Sequence, residues 1–230
     1  MTSGTIDRHS QLALCVAAAT VVATFFASSA GAADSETRTT EPFHAVMFAG
    51  SWSVDVKVGG ERSVVIEGKK DLIDRVKTEV VDGELRIGLD GNFLSLFRNH
   101  DLGGLTAHVT VPELTAFTLN GSGKADIGGL TGSTTKFMLD GSGDIKARGK
   151  LDTVSLVVNG SGTANLSAVE AAKASAMVNG SGEAMVDPRE TLAATINGSG
   201  QVNYVHEGIK VTSVIHGSGM VEKKWKGGIS

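Results

Sequence analysis

Through most of the chain, apolar and polar residues alternate one for one in short runs. From Trp52 to Val58, Val54, Val56 and Val58 are set against Ser53, Asp55 and Lys57. A period of two marks a strand with one buried face. Phe43 to Phe48 reads the same way, and so does Ser63 to Glu67 after a turn at Gly59-Gly60. Asp71 to Val76 suits a single helical turn. Val76 to Val81 and Glu84 to Leu89 flank Asp82-Gly83, a two-residue hairpin signal. The stretch 43–104 is therefore expected to form an N-terminal β region with at least one antiparallel pair. Residues 34–42 are polar and are expected to fray.

From Leu105 the alternation becomes periodic on a second, longer scale. One phrase occurs six times: Asn120-Gly121-Ser122-Gly123, Asp140-Gly141-Ser142-Gly143, Asn159-Gly160-Ser161-Gly162, Asn179-Gly180-Ser181-Gly182, Asn197-Gly198-Ser199-Gly200 and His216-Gly217-Ser218-Gly219. The first glycines are separated by 20, 19, 20, 18 and 19 residues. Two positions before them stand Leu119, Leu139, Val158, Val178, Ile196 and Ile215. Two positions after the second glycine stand Ala125, Ile145, Ala164, Ala184 and Val202. Each unit is thus strand, tight corner, strand, with the same face buried on both sides of the corner.

Units of about twenty residues that end facing the same way must place equivalent strands in parallel. No helical period separates the phrases, so a β-α-β crossover is excluded. What remains over 105–220 is a β-solenoid in which each unit makes one coil and like residues stack. Glycine at the corner reaches positive φ without a steric penalty, and Asn tolerates it best among other residues. Asn side chains in register would also form an amide ladder, in which Asp140 and His216 are polar substitutes. The register makes a charge prediction: Lys124 stacks on Asp144, and Asp126 on Lys146. At the far end, residues 221–230 hold Lys223, Lys224, Trp225 and Lys226. Lysines blunt an exposed edge and Trp225 would cover the core, so this segment reads as a C-terminal cap.

Composition adds a compartment. Residues 1–33 carry Arg8 and His9, an apolar run from Leu12 to Phe26 and Ala30-Gly31-Ala32. They read as a secretory signal peptide, so export is expected, with no transmembrane span after cleavage. The one cysteine, Cys15, lies inside that run, and the mature chain would hold together without disulfides. The net charge of −4 and the lack of a basic stripe argue against a nucleic-acid partner. One irregular stretch, Asp90 to Gly104, contains Phe93, Leu94, Phe97 and Arg98 and is the candidate contact loop.

Candidate chemistry is sparse. Six serines in equivalent corners argue for structure, because a catalyst needs one, and no nucleophile elbow is present. Gly121-Ser122-Gly123-Lys124 resembles part of a phosphate loop, but Thr118 stands at the first glycine position and Ala125 follows the lysine. No zinc or calcium pattern occurs, so no metal and no cofactor is expected. Asp140 and Asp144 flank one corner and read as a solvated turn. His44, His100, His108, His206 and His216 are dispersed and read as structural. The four Asn-Gly-Ser sequences match a glycosylation acceptor, but the turn accounts for them.

Over residues 43–224 these corners and the strand region before them resemble the bacterial head GIN domain family, described as "putative auto-transporter adhesins". Asn203-Tyr204 and Gly208 fit the family pattern as well, while Ile209-Lys210 departs from it where a proline often follows. The resemblance implies an all-β protein, a right-handed parallel β-helix, at the envelope or secreted, with a role in adhesion and no catalytic residues. The expected partner is a surface ligand, glycan or protein, with a homo-oligomer as a further option. The alternatives are a carbohydrate-active enzyme, since such folds host them, and a mechanical envelope stress protein. Outward corner positions Thr118, Met138, Val157, Met177, Thr195 and Val214 would form a semi-apolar stripe.

Overall fold

A computed structural model describes residues 34–89 and 104–224. The elements are β1 (Asp34–Arg38), β2 (Ala45–Gly50), β3 (Ser53–Val58), β4 (Ser63–Gly68), α1 (Lys70–Ile73), β5 (Val76–Val81), β6 (Glu84–Leu89), β7 (Thr106–Val111), β8 (Ala116–Gly121), β9 (Lys124–Gly141), β10 (Asp144–Gly160), β11 (Thr163–Gly180), β12 (Glu183–Gly198), β13 (Gln201–Tyr204), β14 (Lys210–Gly217) and β15 (Met220–Lys223). The long strands β9 to β12 each run from one Gly-Ser-Gly corner to the next. Each is one coil of a parallel β-solenoid.

The register follows the repeats. Gly121 aligns with Gly141, Gly160, Gly180, Gly198 and Gly217 in turn. The residues two before each corner stack into one column, in which Leu119, Leu139, Val158, Val178 and Ile196 are buried. The next inward column runs Phe117, Phe137, Leu156, Ala176, Ala194 and then exposed Ser213, so the core narrows along the stack. Across the corner, large and small residues alternate: Ala125 and Ile127, then Ile145 and Ala147, then Ala164 and Leu166, all buried. A bulky side chain in one coil thus faces a small one in the next, which lets the layers interdigitate.

A closed coil needs more than one bend, and the remaining bend is not repeated in sequence. Coil β9 turns at Gly129, with φ of 80°, and coil β11 at an Asx turn in which Ser167 N donates to Asn165 Oδ1 at 3.1 Å. Coil β12 turns at buried Asp187-Pro188. The pairing slips near these bends, between Ala147 and Gly149 and between Leu166 and Glu170.

The N-terminal region is built into the same solenoid. β2 lies parallel to β8, and β3 lies parallel to both β7 and β9. Gly50 aligns with Gly121, so Ala49-Gly50-Ser51-Trp52 is a seventh corner that the repeat pattern does not reveal. Trp52 replaces the second glycine there. It is 3% exposed and packs edge-on to Phe48, with ring centroids 4.6 Å apart. Antiparallel pairing is confined to the flank, where β1 pairs with β4, β4 with β7, and β5 with β6. The β5–β6 turn has Asp82 at φ 52° and Gly83 at φ 77°, the type I′ geometry that matches strand twist.

The expectation of a frayed 34–42 is corrected for Asp34–Arg38, which forms β1. Its side chains are polar, but strand pairing uses the backbone, and the free edge of β4 accepts it. Arg38 Nη2 also donates to Ile73 O at 2.9 Å. At the other end β14 is exposed along its whole length. Of the expected cap, 221–230, residues 221–223 belong to β15; Trp225 and the rest, 225–230, lie outside the described residues, as do the signal segment 1–33 and the loop positions Phe93, Leu94, Phe97 and Arg98.

Candidate functional site

Each corner uses its two glycines differently. The first, from Gly121 to Gly217, has φ between 119° and 134°, a region that L side chains avoid. The second has no such φ, but a Cβ there would collide with the coil below. On Gly162 it would stand 2.5 Å from Gly143 O, and on Gly182 2.7 Å from Gly162 O. Both glycines are therefore consequences of stacking. From Gly141 on, the backbone amides after the first glycine bond downward: Ser181 N donates to Gly160 O at 2.9 Å and Glu183 N to Gly162 O at 3.0 Å.

The preceding residue does another job. Among the described residues only Asp82 has positive φ without being glycine, so Asn120, Asn159, Asn179 and Asn197 are not there for turn conformation. The side chains of Asn159, Asn179 and Asn197 form a polarised ladder with Asp140. Asn159 Nδ2 donates to Asp140 Oδ1 at 2.5 Å, Asn179 Nδ2 to Asn159 Oδ1 at 2.8 Å, and Asn197 Nδ2 to Asn179 Oδ1 at 2.7 Å. Asp140 fixes the direction, because an ionised carboxylate only accepts. At the other end His216 Nδ1 lies 3.2 Å from Asn197 Oδ1 and must be the protonated nitrogen. The six Gly-Ser-Gly serines and Ser51 lie beside the ladder, all exposed, and form a ridge of hydroxyls.

Next to the ladder runs the outward column Thr118, Met138, Val157, Met177, Thr195 and Val214, aligned across β8 to β12 and β14. Met138 and Met177 are each 39% exposed and Val214 47%. One face of the solenoid thus presents a hydroxyl row, an amide row and a mixed, semi-apolar row with Met138 and Met177 two coils apart, successive coils lying at the spacing of parallel strands, about 4.8 Å.

A second face carries charge. A shallow groove of about 490 Å³ is lined by Asp55, Lys57, His108, Thr110, Asp126 and Arg148, among others. His108 sits between two carboxylates, with Nδ1 3.4 Å from Asp55 Oδ2 and Nε2 3.2 Å from Glu67 Oε2. Arg148 pairs with Asp126. The register expected from charge holds, since Lys124 aligns with Asp144 and Asp126 with Lys146. The ion pair goes elsewhere: Arg148, two positions on, lies over Gly128 and takes the Asp126 carboxylate. A third polar cluster surrounds buried Asp187 at its bend. Arg189 Nη2 is 3.5 Å from Asp187 Oδ2 and 2.9 Å from Glu170 Oε1, and its Nη1 is 3.1 Å from His206 Nδ1.

Sequence order hid the His108 groove, because Asp55, His108 and Asp126 lie on separate coils and no motif joins them. His44 stands at the β5–β6 turn, where a Cβ on Gly83 would meet its ring. No group of three or more metal-ligating side chains occurs among the described residues. No helix among them is long and apolar enough to cross a membrane.

A family model described as "putative auto-transporter adhesin, head GIN domain" matches residues 42–208. A solved structure of a "putative adhesin" from Bacteroides fragilis is similar with a TM-score of 0.67 at 16% identity, covering 84% of this chain and 97% of that one. A "putative adhesin" from Parabacteroides distasonis is similar with a TM-score of 0.58 at 18% identity, covering 84% and 98%. At these identities the likeness concerns the fold. No curated protein matches the sequence.

Proposed function

The chain belongs to the head GIN domain family, and from that premise we propose that it is an exported, non-enzymatic binding protein of the cell envelope whose ladder-bearing face holds a surface ligand, glycan or protein. The observation that carries this reading is the exposed row of Met138, Met177 and Val214 beside the amide and serine rows. Apolar side chains are not needed there for folding, since the core lies on the opposite face. An apolar row rimmed by regular polar rows suits an extended ligand that lies along the stack. The stretch with Phe93, Leu94, Phe97 and Arg98 is proposed as a further contact.

The test is a glycan and matrix-protein binding array with the wild type and with Met138→Glu/Met177→Glu. Binding should fall at least about tenfold, which corresponds to ~1.4 kcal/mol, while the melting temperature stays the same. A wild type that binds nothing on the array, or a double variant that binds as well, would contradict the reading.

The charged groove favours a second reading, a carbohydrate-active enzyme, because Asp55, Asp126 and His108 share one concavity. Against it, each of those side chains is engaged by another, and Arg148 occupies Asp126. Release of reducing ends from polysaccharides, abolished by Asp126→Asn, would establish the enzyme and displace the first reading.

A further inference from the structure

At the end of the solenoid where the core has narrowed, no described strand covers the last coil. Among the described residues β14 pairs with β12 and with no other strand, and all eight of its residues are exposed. Val211, Val214, Ile215 and Met220, in this last coil, are 37–47% exposed. Val211, Ser213 and Ile215 align with buried Leu192, Ala194 and Ile196, so they are core-facing residues with no further described strand over them. The other described strands with one partner are defended differently. β1 carries Asp34, Glu36 and Arg38, β5 carries Lys77 and Glu79, and β15, in the same last coil as β14, carries Glu222 and Lys223, charges that discourage edge pairing. Between Lys210 and His216, β14 has no charge.

We infer that the occupant of this edge is a second copy of the chain, joined by antiparallel pairing of β14 with its own counterpart about a two-fold axis at Ser213. The reason is the pattern of the strand. Around Ser213 the core-facing set reads Val211, Ser213, Ile215, and an antiparallel partner centred on the same residue reads Ile215, Ser213, Val211. Valine then meets isoleucine twice and serine meets serine, all on the inner face, because opposed residues in an antiparallel pair point the same way. A two-fold axis perpendicular to the sheet also keeps inner face with inner face. The β14 sides of the two cores meet, and the free N–H and C=O groups of both β14 edges are paired. A self-complementary patch closes on itself as a dimer and does not grow into a fibre. On the outer face Val214 meets the partner's Thr212, so the two proposed ligand-binding faces lie on the same side of the joined sheet, and two weak contacts on one ligand can act together.

The test uses the full chain with Cys15→Ser, to which Ser213→Cys is added. The two cysteines should lie about 4.5–5.5 Å apart between Cα atoms, within disulfide reach. Mild oxidation should give a covalent dimer at least about tenfold faster than Ser181→Cys, an exposed corner control. Light scattering of the Cys15→Ser chain should show twice the chain mass at micromolar concentration. Ser213→Lys, which sets two ammonium groups face to face, should return the monomer with unchanged circular dichroism. A monomer at all concentrations, equal cross-linking of the two cysteine variants, or a dimer indifferent to Ser213→Lys would each overturn the inference. So would a dimer seen only after residues 225–230 are removed, since the chain's own tail would then be the occupant.

Discussion

At the level of single residues, the corner separates three requirements that the repeated phrase blends together. The first glycine is set by backbone angle, the second by the carbonyl beneath it, and the asparagine by its neighbours above and below. Gly162→Ala should therefore cost about 3 kcal/mol, as overpacking against rigid backbone does. Ser161→Ala, an exposed hydroxyl one residue away, should stay within about 0.5 kcal/mol. Denaturant melts of the two variants check the contrast. Asn179→Ala removes one ladder bond on each side and should cost about 1–3 kcal/mol at roughly 0.5–1.5 per bond, read the same way. Glu207 offers a separate test. Its hydrogen bond and charge pairing with Lys223 hold its carboxyl below the usual range. A lowered pKa gives stability that is present above the unfolded-state value and lost as pH falls through the folded one. The pair is solvent-exposed, so the expected readout is spectroscopic. The Glu207 titration midpoint should lie below that of other exposed glutamates and rise in Lys223→Ala.

At the scale of elements, the alternation was legible wherever one face is buried and the other wet. The β5–β6 hairpin followed from Asp82-Gly83, and the strands around each corner from residues two and four away. Two elements were hidden. β1 is polar throughout, and its pairing is a property of the backbone edge that side-chain pattern does not report. The seventh corner was hidden by Trp52, which stands where the phrase has its second glycine. Buried and edge-on to Phe48, Trp52 fills the core at this corner. Trp52→Ala should cost about 3–5 kcal/mol, whereas Trp52→Phe, which keeps an aromatic ring beside Phe48, should cost less than half as much. Thermal unfolding of both variants tests the assignment. The second bend of each coil was illegible for another reason: Gly129, the Asn165–Ser167 turn and Asp187-Pro188 reach similar ends by different chemistry.

For the molecule as a whole, the period of about twenty residues carried the architecture, because few folds can repeat so short a unit without helices. It did not carry the surface. The charged groove draws Asp55, His108 and Asp126 from separate coils, and the open edge at β14 becomes visible only when the stack is assembled. Both contact arguments depend on the corners lying in one straight file. The most direct measurement is the spacing between spin labels on the corner serines, one at Ser122 and the other at Ser181, Ser199 or Ser218. Three, four and five coils apart, these pairs should give distances rising by about 4.8 Å per coil, to roughly 14, 19 and 24 Å. Distances that fail to rise in that order, or that rise and then fall, would place the corners around a closed sheet and contradict the solenoid.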